Sequence, residues 1–147
     1  MKKRVHAIAG GIGFLMVFLF WTSTVISEVF ASHESVAAVK GLILVGMLVL
    51  VPAMAIVGSS GMAMGRRRKD ALTQAKKKRM PIIALNGLLV LVPVAWVLAQ
   101  KAAADEFDGT FYVLQGVELI AGAANLAMMG LNIRDGLKLT GKLGRSR

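Results

Sequence analysis

Four long apolar stretches dominate this sequence and restrict the folds open to it. They span residues 5–27, 41–65, 81–99 and 109–133, and the last is interrupted by one charged residue, Glu118. Each reaches the roughly 20 residues that an α-helix needs to cross about 30 Å of hydrocarbon at about 1.5 Å per residue. Because open strand edges would leave backbone groups unsatisfied in lipid, these stretches predict helices. We therefore expect an all-α integral membrane protein.

The composition also favours a membrane protein over a soluble domain. Hydrophobic residues make up 56% of the 147 residues, and the mean hydropathy is +0.65, which is too apolar for a soluble domain of this length. Since the chain has no cysteine, a disulfide framework and a thiolate metal site are both excluded. A net charge of +10 would indicate nucleic-acid binding in a soluble protein. Here membrane topology explains the charge, and we expect no nucleic-acid partner.

The basic residues lie on one side of the predicted membrane. Sixteen of the 18 are found near the N-terminus, between Arg66 and Arg79, or after residue 133. Most acidic residues lie toward the opposite ends of the helices. The positive-inside rule therefore places both termini and the basic loop in the cytoplasm. We expect an up-down-up-down bundle of four helices in the cytoplasmic (inner) membrane of a bacterium.

The predicted helices form a single membrane domain, residues 1–147. Their expected bounds are residues 5–31, 36–65, 80–100 and 109–135, with a basic cytoplasmic loop at residues 66–79. Pro52 and Pro93 lie inside the second and third helices and should bend both. The basic start followed by an apolar run also resembles a secretory signal, but the run is longer than a signal's apolar region. We expect it to be retained as the first helix.

The fourth helix carries a polar stripe. Its members recur every three or four residues and are Gln115, Glu118, Gly122, Asn125, Met129 and Asn132. Because this spacing puts them on one face, we expect the stripe to line the bundle interior. It predicts either a buried hydrogen-bond network that fixes helix packing, or a proton or ion path through Glu118, Gln115 and Asn125.

Two more charged residues lie near the outer ends of the first two helices. Glu28, near the end of the first helix, and Lys40, near the start of the second, should lie at about the same depth in the membrane. An ion pair between them across this hairpin is therefore expected. Lys40 could instead extend along the apolar surface to the interface. Together with Glu118, the two residues make the outer half of the bundle a candidate site.

His6 and His33 bracket the first predicted helix, one at each interface. Imidazole is a common axial ligand of haem, so the pair predicts haem b, with His6 and His33 as iron ligands. They lie roughly 40 Å apart along an unbroken helix and cannot hold one cofactor together. Their alternative role is that of exposed interfacial histidines.

The segment His6-Ala-Ile-Ala-Gly10 resembles, over five residues, the His-x-x-x-Gly openings of membrane-anchor subunits of respiratory dehydrogenases. The resemblance implies a haem-b or quinone-associated subunit, although no second histidine of that pattern is present. The leading hypothesis is therefore a redox or accessory subunit of a larger membrane complex. The alternative is a small dimeric ion or solute transporter that uses Glu118.

Two features predict partners. Glycines in the first and fourth helices, Gly13 and Gly122 among them, allow close helix packing and predict contact between these helices and a homodimer. The basic loop from Arg66 to Arg79 predicts attraction to anionic phospholipid headgroups. No motif of a soluble catalytic site is present, so we assign no catalytic residue and expect no independent enzymatic activity.

Overall fold

The computed structural model describes residues 2–66 and 69–141, with side chains from residue 4 onward. This part of the chain is helical apart from short connections. The helices are α1 (Lys2–Phe30), α2 (His33–Gly65), α3 (Ala71–Asn86), α4 (Val92–Ala103) and α5 (Gly109–Leu139). A five-residue π turn, Gly87–Leu91, joins α3 to α4 without a break. The described residues therefore form four long rods.

All four rods are long and apolar enough to cross a membrane. The candidate spans are Arg4–Phe30, His33–Gly65, Ala71–Ala103 and Gly109–Leu139, with mean hydropathies of 1.8, 2.5, 2.4 and 1.3. The prediction of an all-α membrane protein with four spanning helices is confirmed.

Polar caps extend two helices, α2 and α3, beyond their predicted starts. Asp70 accepts a hydrogen bond from the backbone N–H of Thr73 at 2.9 Å, so α3 begins at Ala71 and not near residue 80. Most of the expected basic loop is therefore helical, because good helix formers such as alanine, leucine, glutamine and lysine follow this cap. Ser32 caps α2 in the same way, which leaves only residues 31–32 between α1 and α2.

Pro52 and Pro93, which were expected to bend their helices, have different surroundings, and the early start of α3 puts Pro81 inside a helix as well. Pro93 follows the π turn directly, and the N–H of Val92 donates to the carbonyl of Gly87, five residues back. Since proline lacks an N–H and crowds the carbonyl four residues earlier, a widened turn accommodates it. Pro52 lies inside α2, which is assigned as α-helix throughout.

The rods pack in a ring. Helix α1 contacts α2 and α5, while the rod made of α3, the π turn and α4 also contacts α2 and α5. The expected contact between the first and last rods is thus confirmed within a single chain. Each rod has two neighbours, and the ring encloses a narrow interior.

The burial pattern is inverted relative to a soluble protein. Leu48 and Ile120 are 75% and 76% exposed, whereas Thr24 and Lys40 are 2% and 1% exposed. Apolar side chains that face outward are stable where lipid is the solvent, and polar groups then gather inside. This arrangement puts the candidate functional residues in the bundle interior.

Candidate functional site

The two ends of the bundle carry opposite charges. At one end, which we call the acidic end, His33 lies 3.3 Å from Asp105, and Lys101 pairs with Glu106 and Asp108 at 3.0 Å each. The other end, which we call the basic end, carries Arg4, Arg66, Lys69, Lys76, Lys77, Lys78, Arg79 and Arg134. The residues described below lie between these ends.

The polar stripe of α5 faces the interior, as predicted. Gln115 and Asn125 are each 4% exposed and Asn132 is 9% exposed, while Gly122 and Met129 are also buried. The stripe continues one turn further than predicted, because Asp135 at the basic end is buried as well. About 25 Å separates Glu118 from Asp135 along the helix, so the buried polar face of α5 covers most of a hydrocarbon core.

Glu118 is held by residues of two helices. The ammonium of Lys40 on α2 donates to its Oε2 at 2.5 Å, and Nε2 of Gln115 donates to the same oxygen at 3.0 Å. The Lys40 side chain is fully buried, and that of Glu118 is 12% exposed. Lys40 therefore does not extend to the interface. Its ion pair is with Glu118, and not with Glu28 as the hairpin geometry predicted.

Glu28 lies beside this ion pair without a full set of partners. Its Oε1 is buried and accepts no hydrogen bond from any described residue, and the same is true of Oε1 of Gln115. Lys40 and Glu118 both lie close enough to Glu28 to act on its charge. We call these four neighbouring residues the acidic cluster: Glu28, Lys40, Gln115 and Glu118. The cluster contains two carboxylates and one ammonium.

A cavity of about 60 Å³ adjoins the acidic cluster, lined in part by Thr24, Trp21, Glu118 and Gly122. It exceeds the roughly 10–15 Å³ that a single water needs. An open cleft of about 500 Å³ lies on the surface of the acidic end and is lined by His33, Ala37 and Asp105 among others. Since Ala37 is one helical turn from Lys40, the cleft leads toward the acidic cluster.

Trp21 closes the other side of the cavity. Its Nε1 donates to the carbonyl oxygen of Leu119 at 2.9 Å, and its ring covers Gly122, where a Cβ would lie 2.9 Å from Cδ1. The position of Trp21 near a helix end is typical of an interfacial anchor. The Trp21 ring instead faces α5, and the sequence did not predict this orientation of the side chain.

Two asparagines meet in the middle of the bundle. Nδ2 of Asn86 donates to Oδ1 of Asn125 and to the carbonyl oxygen of Ala121, each at 2.9 Å. The sequence analysis identified Asn125 but missed Asn86. A lone amide in an otherwise apolar helix was the available signal, since such a residue normally hydrogen-bonds across helices.

The basic end contains a buried carboxylate that the sequence analysis also missed. Asp135 is 1% exposed; its Oδ2 accepts from Arg79 at 2.6 Å, and its Oδ1 accepts from Arg134 at 3.1 and 3.2 Å. Arg79 also reaches Oδ1 of Asn132 at 3.3 Å. The available signal was its spacing, since Asp135 follows Asn132 of the polar stripe by three residues.

The two histidines lie at opposite ends, as predicted, but in different settings. Nδ1 of His6 lies 2.9 Å from Oγ of Ser60, and a Cβ on Gly61 would lie 3.2 Å from Cε1 of His6 and 3.6 Å from the methyl of Met80. His33 begins α2 and stacks on Phe107 at 3.8 Å between ring centroids. Among residues 2–66 and 69–141, no three His, Cys, Asp or Glu side chains are grouped to hold a metal ion.

Comparison with protein-family models, curated proteins and solved structures finds no match to this chain. Its function must therefore be inferred from its own residues and their geometry.

Proposed function

We propose that this protein is a small membrane carrier that moves a proton or a monovalent cation through the polar interior of its bundle, with the acidic cluster as its binding site. One observation carries the proposal. Glu118 forms an ion pair with the ammonium of Lys40, the half-buried Glu28 lies beside this pair, and the buried Oε1 of Glu28 accepts no hydrogen bond from any described residue.

The charge of the acidic cluster explains why this observation indicates a cation. With both carboxylates ionised, Glu28, Lys40 and Glu118 carry one net negative charge inside the candidate membrane spans. An uncompensated charge inside a bilayer is costly and is normally neutralised by a proton or a bound cation. Either species would give Oε1 of Glu28 the partner that it lacks. The cluster can thus bind and release one positive charge, either a proton or a cation.

The rest of the interior supplies a route. The surface cleft at the acidic end reaches Ala37, one helical turn from Lys40, and the cavity beside Glu118 is lined by Trp21. The Asn86–Asn125 pair lies about one helical turn beyond Gly122, and Asn132 and Arg79 follow toward the basic end. The Trp21 ring lines the cavity and covers Gly122 on the side toward the two asparagines, and in this proposal the ring moves when a cation passes.

The charge asymmetry of the two ends orients the carrier. By the positive-inside rule the basic end and both termini face the cytoplasm, as expected for an up-down-up-down bundle in a bacterial inner membrane. The acidic cluster then lies in the outer half of the membrane. Cations would enter from the outside through the cleft beside His33.

Four helices leave little interior space, so we propose that the carrier works as a homodimer. Gly13 and Gly122 do not support this directly, since both face side chains of the same chain. Gly11 and Gly116 have open space around them and are the better candidates for a contact with a second copy. Cross-linking and mass measurement in lipid nanodiscs, with Gly116→Leu compared with the unchanged protein, would test this arrangement.

The carrier function is tested by flux through purified protein in liposomes. A pH-sensitive dye reports proton entry under an imposed potential, and sodium- and potassium-sensitive dyes in parallel samples report the other cations. We expect Glu118→Gln and Glu28→Gln each to abolish the flux that the unchanged protein supports. Glu106→Gln, which removes an exposed carboxylate at the same end, is the matched control and should retain it.

Flux that survives both substitutions, or no flux of any of the three cations, would reject the carrier function. Circular dichroism and gel filtration must show that each variant keeps its fold. If the carrier function is rejected in variants that keep their fold, the acidic cluster is a hydrogen-bond network that fixes helix packing.

A redox or accessory subunit is the second candidate, and one observation favours it. His6 and Met80 both lie next to Gly61, and imidazole and thioether are together the axial ligands in some cytochromes. Nε2 of His6 would be the iron ligand, since Nδ1 lies against Ser60. A Soret band that disappears in His6→Ala but persists in His33→Ala would support haem b at the basic end. Colourless protein from haem-replete cells would leave only a cofactor-free accessory role.

A further inference from the structure

The basic end gathers more positive charge around Asp135 than this carboxylate balances. Its two oxygens are occupied by Arg79 and Arg134. Lys76 is a third cation at this place, close enough to Asp135 and Arg79 for their charges to act on it. Three cations therefore lie around one carboxylate, which leaves an excess of two positive charges at this place.

Lys76 is directed toward the other helices and not away from them. Its Nζ lies 3.2 Å from the position that a Cβ on Gly136 would occupy, so the ammonium rests against the backbone of α5. It also lies close enough to His6 on α1 to act on the charge of the imidazole. Lys78, on the same helix, is exposed. Within residues 2–66 and 69–141, no carboxylate is paired with Lys76 within 4.0 Å.

We propose that Lys76, Arg79 and Arg134 form a binding site for the phosphodiester of an anionic phospholipid, a function that does not depend on the carrier activity. A phosphate offers several oxygens to a planar guanidinium and to an ammonium point charge at once. The site lies at the basic end, where the helices meet the headgroups, and basic pockets between membrane helices bind anionic lipids. The diffuse attraction that the sequence predicted for residues 66–79 is thereby concentrated between α3 and α5.

The test compares two lysines on one helix. The full-length protein is placed in phosphatidylcholine bilayers with small amounts of spin-labelled phosphatidylglycerol, and the protein-bound fraction of the label is measured. Lys76→Gln should reduce the preference for phosphatidylglycerol by clearly more than the about fivefold that the loss of one basic residue from a lipid surface causes. Lys78→Gln changes net charge equally and should have a much smaller effect, while Lys76→Arg should retain the preference.

Equal losses in Lys76→Gln and Lys78→Gln would overturn the site, because attraction would then depend on total charge. Inorganic phosphate distinguishes a lipid from a free phosphate. If it binds the detergent-purified protein through Lys76 and the bilayer experiment shows no preference for phosphatidylglycerol, the lipid assignment is overturned.

Discussion

The ammonium of Lys40 and the carboxylate of Glu118 meet 2.5 Å apart inside the bundle, although 78 residues separate them in the sequence. The pair joins α2 to α5, and Gln115 donates a further hydrogen bond to the same carboxylate oxygen. Burying two charges costs several kcal/mol per ion before their attraction repays it, so such a pair is weak evidence for a stabilising role. Its presence beside Glu28 fits a site that handles charge.

The first prediction concerns this pair. Lys40→Met leaves Glu118 buried without its counter-ion and should lower the free energy of unfolding by about 3 kcal/mol or more. Lys78→Met, which removes an exposed lysine from α3, is the control and should have little effect. The double variant Lys40→Met with Glu118→Leu should recover most of the loss, as measured by chemical unfolding in mixed micelles. A double variant as unstable as Lys40→Met would contradict the explanation by an unpaired charge.

The second prediction concerns the contact between Trp21 and Gly122. A Cβ on Gly122 would lie 2.9 Å from Cδ1 of the ring, so Gly122→Ala must displace the indole. We expect a loss of about 1–3 kcal/mol in unfolding free energy, typical of overpacking, and a shift in tryptophan fluorescence. Gly58→Ala adds the same methyl group in open space on α2, at a position outside the proposed contact with a second copy, and should change neither quantity. Identical behaviour of the two variants would refute the packing of Trp21 on Gly122.

The third prediction concerns acid stability at the acidic end. The N–H of Phe111 and then the ammonium of Lys101 hold the pKa of Asp108 below its ordinary value. Because the folded protein favours the ionised form, this carboxylate contributes stability that is complete above the ordinary aspartate pKa of about 3.9. The contribution is lost as the pH falls through the lowered value.

Asp108→Asn keeps a cap for α5 but removes the titration. The thermal midpoint of this variant should therefore change less between neutral pH and about pH 3 than that of the unchanged protein. Glu34→Gln, at another exposed carboxylate of the same end, serves as the control. An unaltered pH profile in Asp108→Asn would exclude Asp108 as the titrating group.

The fourth prediction is the orientation in the membrane. A reporter fused after Arg147 should lie in the cytoplasm, and one inserted after Glu106 should lie on the opposite side, because the basic residues flank the termini and the α2–α3 connection. Alkaline phosphatase and green fluorescent protein fusions report the two sides in a complementary way. Phosphatase activity of the fusion after Arg147 would contradict the predicted orientation, and the proposed direction of cation entry would then be the opposite one.

Much of the fold could be predicted because hydropathy and helical periodicity are local properties. The length and apolarity of four stretches predicted four spanning helices, and the spacing of Gln115, Glu118 and Asn125 predicted a buried face on α5. The helix starts were less accurate, since capping by Ser32 and Asp70 extends α2 and α3 into segments expected to be loops. Charge had indicated a loop where the backbone propensities favoured a helix.

Contacts between side chains of different helices could not be predicted from such local patterns. Glu28 was expected to lie opposite Lys40 across the hairpin, but the rotation of α2 about its axis directs the ammonium to Glu118. The same applies to Asn86, which meets Asn125, and to Trp21, which faces Gly122 and not the interface. Helix rotation depends on the packing of all four rods, which no local pattern encodes.

The sequence by itself determined that the chain is a membrane protein of four helices with a polar face on the last one, because lipid admits few other structures for such stretches. Only the tertiary structure decided which charges meet. It brought Glu28, Lys40 and Glu118 together at the acidic end and Lys76, Arg79, Arg134 and Asp135 together at the basic end. The reason is physical: a buried charge requires a partner, and side chains distant in sequence meet only when the helices pack.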